Sequence, residues 1–138
     1  MILKNAFLEI ELDDGNGSIL SLTDRKRGVT YMDDARGCAL YRLVVPDNEK
    51  WLGQFADSTA ASCEISSSGY DTCMRFAKQR TDEGRELDIS VTVKVTLRPD
   101  CDEAFLSFRV ENNSPFVIDE VWFPQIGGLH VDRRRPPF

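Results

Sequence analysis

The chain is poor in the groups that move protons or hold metals. It has one histidine, His130, in 138 residues. A nucleophilic triad would have to be built on that single imidazole, and no Gly-x-Ser-x-Gly elbow is present to supply a serine. No glycine-rich phosphate loop occurs. Gly127-Gly128 is a lone pair with no helix behind it, so it reads as a turn. The four cysteines (Cys38, Cys63, Cys73 and Cys101) include no Cys-x-x-Cys pair, so one turn cannot present two zinc ligands. The lack of a leader and a core large enough to stand without cross-links favour free thiols, with disulfides left to geometry. No apolar run reaches the roughly 18 residues that would span a membrane as a helix. Met1-Ile2-Leu3-Lys4-Asn5-Ala6 lacks a secretory leader's basic start and apolar stretch, which favours a cytoplasmic address. Cations are in deficit: 17 Lys and Arg against 23 Asp and Glu leave a net charge of -6. A domain of that sign lacks the footprint that nucleic acid or an anionic membrane requires. Nothing in the sequence calls for a cofactor or a metal.

What the chain has in abundance is period-two alternation. Leu87, Ile89, Val91, Val93, Val95 and Leu97 alternate with Asp88, Ser90, Thr92, Lys94, Thr96 and Arg98. That pattern predicts a strand with one dry and one wet face. Pro99-Asp100-Cys101-Asp102 is turn chemistry. Leu106, Phe108 and Val110 then alternate with Ser107, Arg109 and Glu111, which completes a long antiparallel hairpin. Leu8, Ile10 and Leu12 alternate with Glu9 and Glu11 and lead into the turn Asp13-Asp14-Gly15-Asn16-Gly17. Further strands are expected at 19–22, 29–31, 38–45 (stopped by Pro46), 63–67, 70–78 and 117–123, with a charged turn at 79–86. No window keeps a capped helical face. The expectation is an all-β, antiparallel β-sandwich of about 8–10 strands with little or no helix. Residues 1–129 form the sandwich, and 130–138 leave it as a linker, because Pro136-Pro137 disfavours helix and central strand. Arg133, Arg134 and Arg135 read as an interdomain contact.

Two acidic features invite a chemical reading. An EF-hand loop wants glycine at its sixth place and a carboxylate at its twelfth. Counted from Asp14 those places fall on Ile19 and Arg25, and from Asp13 on Ser18 and Asp24, so the hairpin turn is the better reading. Paired-carboxylate hydrolysis needs two acids held about 5–10 Å apart across a cleft, whereas most acids here lie on the wet faces of strands. The aromatics are better candidates. Residues 46–62 read as a long irregular connection carrying Trp51 beside Asp47, Asn48 and Gln54, the mix of flat ring and polar rim that suits a sugar. Trp122 ends the strand at 117–123. Against this, large rings more often fill cores or seams.

The order of segments carries a resemblance. Asn5-Ala-Phe-Leu-Glu-Ile-Glu-Leu, then Gly17-Ser-Ile-Leu-Ser-Leu-Thr-Asp and Arg27-Gly-Val-Thr-Tyr, is similar to the opening of galactose-mutarotase-like β-sandwich domains of glycoside hydrolases. Phe108-Arg-Val-Glu-Asn-Asn-Ser and Trp122-Phe-Pro-Gln-Ile-Gly-Gly-Leu resemble later strands of such domains. The resemblance implies a supersandwich placed ahead of a catalytic domain, often a (β/α)₈ barrel, with that domain as partner. The single-domain mutarotases and epimerases of the superfamily use histidines and a glutamate, and His130 alone matches no such set. No catalytic residue is therefore carried over. The expectation is a non-catalytic accessory domain of a carbohydrate-active enzyme. The alternatives are a free-standing carbohydrate-binding module using Trp51, Asp47, Asn48, Gln54 and Trp122, a minimal mutarotase or epimerase, and a structural sandwich.

Overall fold

A computed structural model describes residues 1–32 and 38–129. Among these the chain is all-β. The strands are β1 (Ile2–Lys4), β2 (Leu8–Leu12), β3 (Ile19–Asp24), β4 (Val29–Met32), β5 (Arg42–Asp47), β6 (Lys50–Asp57), β7 (Ser62–Ser68), β8 (Asp71–Ala77), β9 (Gln79–Arg80), β10 (Glu86–Leu87), β11 (Ile89–Thr96), β12 (Phe105–Asn112) and β13 (Glu120–Trp122). One turn of 3-10 helix, Ser58–Ala60, is the only helical element among the described residues. Every pairing between strands is antiparallel. The sheet orders are β1-β2-β3-β4, β12-β11-β8-β7 and β13-β5-β6, with β10-β9 as a small two-stranded ribbon.

The sandwich follows from alternation. In β11 the residues Ile89, Val91, Val93 and Val95 are buried while Ser90, Thr92, Lys94 and Thr96 stay partly wet. Phe76 and Met74 of β8 lie opposite Val91 and Val93 in the ladder. From the other sheets come Ile10, Leu12, Ile19 and Met32, and Leu43, Val45 and Ala56, and all of these meet in one hydrophobic cluster. Burying each large aliphatic or aromatic side chain stabilises the fold by roughly 1.5–3 kcal/mol. Tyr41 ties the layers together, its ring edge-on to Phe76 at 5.1 Å and Phe108 at 5.4 Å. Its hydroxyl donates to Gln79 Oε1 at 2.9 Å, so the buried polar end is satisfied.

The Asp13–Gly17 turn shows why glycine stands where it does. Asp13 Oδ1 accepts from the Gly15 and Asn16 amides at 2.7 and 3.2 Å, and Asn16 Oδ1 accepts from the Ser18 amide at 2.9 Å. These acceptors hold the turn. Gly17 has φ +70°, and a Cβ there would sit 2.7 Å from Met74 Sδ and 2.9 Å from Phe76 Cζ. The turn is pressed onto β8, and only glycine fits.

Several expectations need correction. The strand read at 87–98 is broken at Asp88 into β10 and β11. The strand at 117–123 shrinks to Glu120–Trp122, and the turn at 79–86 pairs as β9 and β10. The largest change is at 46–62, which is not an irregular connection. Pro46 does not stop β5, and β6 returns at once across Asn48-Glu49. Val45 pairs with Gln54 and Asp47 with Lys50, so Trp51, Leu52 and Gly53 stand opposite Pro46 alone. Proline has no amide to give a ladder, and a bulge is where a strand can house it. These extra short strands carry the total past the expected 8–10. Residues 130–138, including His130 and the arginines, lie outside the described residues.

Candidate functional site

The site is built on the outer face of β13-β5-β6. The register aligns Glu120, Val44 and Phe55 in one row and Trp122, Arg42 and Asp57 in the next. Leu43, Val45, Gln54 and Ala56 point inward, so their neighbours must point out. The bulge at Trp51–Gly53 then throws the hairpin's own aromatic clear of the sheet, and Trp51 is 99% exposed. Gly53 makes this possible: its φ is +69°, and a Cβ would collide with the Val45 carbonyl.

Between the two indoles lies a cleft of about 350 Å³, lined by Val44, Pro46, Asp47, Trp51, Leu52, Gly53, Phe55, Asp119, Glu120 and Trp122. Trp122 is held at its wall. Its Nε1 donates to Glu120 Oε2 at 2.8 Å, and its ring lies 6.4 Å from that of Phe55. The Arg42 guanidinium stacks against both rings, 5.2 Å from Phe55 and 5.7 Å from Trp122, and its charge faces Asp57 at 3.8 Å. A cation over an aromatic face is attracted by the ring quadrupole, so the guanidinium braces the wall. The free edge of β6 is closed by Asp82, whose amide donates to Phe55 O at 2.7 Å and whose Oδ1 accepts from the Phe55 amide at 3.0 Å.

Three of the five residues singled out by sequence meet here: Asp47, Trp51 and Trp122. The other two do not line the cleft. Asn48 lies in the exposed hairpin turn. Gln54 shares the inward face with Ala56, is 1% exposed, and donates through Nε2 to Asp47 Oδ2 at 2.6 Å. It fixes Asp47, whose Oδ1 also accepts from the Glu49 amide at 3.0 Å. Asp119, Glu120, Leu52 and Phe55 were missed. The spacing of Glu120 and Trp122 on one strand put them on one face, but nothing local announced that β13 pairs with β5.

Two other depressions lack this character. The larger, about 560 Å³ on the outer face of β12-β11-β8-β7, is lined by Glu64, Ile65, Ser66, Cys73, Arg75, Thr92, Arg109 and Glu111. It has no aromatic ring, and Arg109 and Glu111 satisfy each other at 2.9 Å. The smaller, about 310 Å³, lies around Phe7, Lys26 and Tyr31, with the Lys26 ammonium 3.8 Å over the Phe7 ring.

Shifted ionisations lie away from the cleft. Burial pushes the Tyr41 phenol upward, against the hydrogen bond to Gln79, as befits a core residue. Burial, with Asp13 and Glu64 adding to it, pushes the Cys63 thiol up to about 11, which keeps it protonated and unreactive at neutral pH. All four cysteines are free thiols. Among the described residues no three His, Cys, Asp or Glu side chains are grouped to hold a metal ion, and no helix is long and apolar enough to cross a membrane.

Fold and site together define a class: an antiparallel β-sandwich presenting an aromatic, acidic cleft on one sheet. No family model matches the chain, and no curated protein matches it.

Proposed function

We propose that the chain is a non-catalytic β-sandwich domain of a carbohydrate-active enzyme, a glycoside hydrolase by its resemblance, and that the cleft between Trp51 and Trp122 is its sugar-contacting surface. The observation that carries this reading is Trp51: a fully exposed indole, carried outward on a glycine-dependent bulge, that lines one cleft with a second indole, Trp122, and with carboxylates. A ligand that covers an exposed ring of this size gains the free energy of removing its apolar surface from water. Pyranose rings offer C–H faces for stacking, and Asp47, Asp119 and Glu120 offer acceptors for hydroxyls, the few convergent polar groups that orient a ligand. The resemblance to galactose-mutarotase-like domains supports the same class. Docking on a catalytic domain is the other half of the proposal. It is supported by Val117, Val121, Ile126 and Leu129, which expose apolar side chains in and around β13.

The test is a glycan array followed by calorimetry with the best ligand, on the wild type and on Trp51→Ala. Millimolar or tighter binding that weakens about tenfold in the variant is the expected result. Binding that the substitution leaves unchanged, or no binding to any glycan, contradicts the reading. A free-standing binding module uses the same cleft, and a gene that ends at Phe138 would favour it over an accessory domain.

A further inference from the structure

We propose that the free edge of β7 pairs with β7 of a second copy of this chain, forming a weak, closed antiparallel dimer. β7 ends the sheet β12-β11-β8-β7, and among the described residues no backbone group bonds to its outer side. Such an edge is a row of unpaired N–H and C=O groups, a template for another strand. The chain covers or shortens most of its other edges. Met32 of β4 bridges to Leu129, Ala56 of β6 bridges to Thr81 beside the Asp82 contacts with Phe55, and β1 and β13 have three residues each. β12 stays open but carries Arg109 and Glu111, and charges on an edge oppose pairing. β7 has few such guards. Its seven residues run against β8 without a slip, hold no proline or lysine, and carry one charge, Glu64. It lies in a different sheet from the cleft, so this proposal stands apart from the sugar-contacting reading.

The strand is complementary to itself. Paired antiparallel about a two-fold axis through Ile65, all seven residues find a strand partner, and the two-fold closes the assembly at two copies. Residues opposite each other share a face. On the inner side Ile65 meets Ile65 of the second copy, and Cys63 meets Ser67. Cys63 and Ile65 are only half-buried at the rim of the core, so pairing covers apolar surface that one chain leaves wet. On the outer side Ser62 meets Ser68 and Glu64 meets Ser66, so no like charges stand opposite each other. An axis through Glu64 would set two carboxylates face to face. An axis through Ser66 would set Ile65 against serine and leave Ser62 and Cys63 opposite the Gly69-Tyr70 turn. The Ile65 register also carries Tyr70, 60% exposed just past the strand, toward the exposed Ala60 of the second copy. A ladder of seven residues covers less than the roughly 1,000 Å² of a lasting interface, so the expected dissociation constant is on the order of 100 micromolar.

The test is sedimentation equilibrium from about 20 micromolar to about 1 millimolar, with about 0.15 M salt to screen the charge of -6 on each copy. The mass should rise toward twice that of one chain and no further. In a dilution series followed by amide NMR, the shifts should move along β7 and stay still on β12. Two substitutions on the exposed outer side then read the register. Ser66→Glu sets a carboxylate opposite Glu64 at two symmetric places and should weaken association about threefold to tenfold. Ser66→Lys sets an ammonium there and should strengthen it by about the same factor. A single chain throughout the range, a mass that climbs beyond the dimer, or shifts confined to β12 would overturn the proposal. Equal weakening by Ser66→Lys and Ser66→Glu would overturn it as well, because lysine would then be guarding the edge rather than meeting Glu64 across it.

Discussion

The hairpins β11–β12 and β5–β6 are built from the same chemistry and do opposite things with it. In β11–β12 the ladder runs unbroken from Ile89 opposite Asn112 to Thr96 opposite Phe105. Each inward residue of β11 is buried, and the outer face is polar. In β5–β6 the ladder slips at Pro46, three residues bulge opposite it, and a tryptophan stands in water. Regular pairing stores stability, while the interrupted hairpin presents side chains. Four substitutions separate the two roles.

The largest effect belongs to β8, which pairs with β11 on the regular side. Phe76→Ala removes a fully buried ring that packs against Tyr41 and under the Gly17 turn, and should cost about 3–5 kcal/mol in urea unfolding. A loss under about 1 kcal/mol would mean that the core does not close there. Next comes Gly53→Ala, which forces an L-residue to φ +69° and a Cβ onto the Val45 carbonyl. It should cost about 1–3 kcal/mol and lower glycan affinity by displacing Trp51. Unchanged affinity would show that the bulge does not aim the indole. Trp51→Ala should reverse the balance: stability within about 0.5 kcal/mol of wild type, because the ring touches little, with binding reduced about tenfold.

The smallest effect is one of pH. The hydrogen bond from Thr96 holds the Asp71 carboxyl below its usual range, and Lys94 adds to this, against a smaller opposing effect of burial. A depressed acid contributes stability that is present above the unfolded-state pKa and is lost as pH falls through the folded one. Asp71→Asn should therefore flatten the acid limb by lowering the unfolding midpoint slightly at neutral pH, where the carboxylate contributes, and leave the low-pH end, where both side chains are uncharged, little changed. An identical acid limb in both proteins would remove Asp71 from the account.

The comparison also explains what could be read from the sequence. β11, β12, β2 and the β7–β8 hairpin show one wet and one dry face, and alternation reveals them directly. β5 does not alternate, because Val44 on its outer face is itself 6% exposed, its ladder partners being Phe55 on one side and Glu120 on the other. Its run Leu43-Val44-Val45 therefore carries no facing signal. Pro46 looked like a stop because proline lacks an amide, yet opposite a bulge it fits. Trp51, Asp47 and Trp122 were legible as candidates from residue type. Their meeting was not, since it depends on β13 returning to pair with β5 from far along the chain, a non-local register that no short motif encodes. Gln54 was misplaced for the same reason: its inward direction is set by the ladder with Val45.

The central claim, that Trp51 and Trp122 form one ligand site, is tested most directly by labelling both indoles with 5-fluorotryptophan and following their fluorine resonances during titration with a binding glycan. The account predicts that both signals shift and fit a single dissociation constant. Movement of only one signal, or two curves with different midpoints, would contradict it.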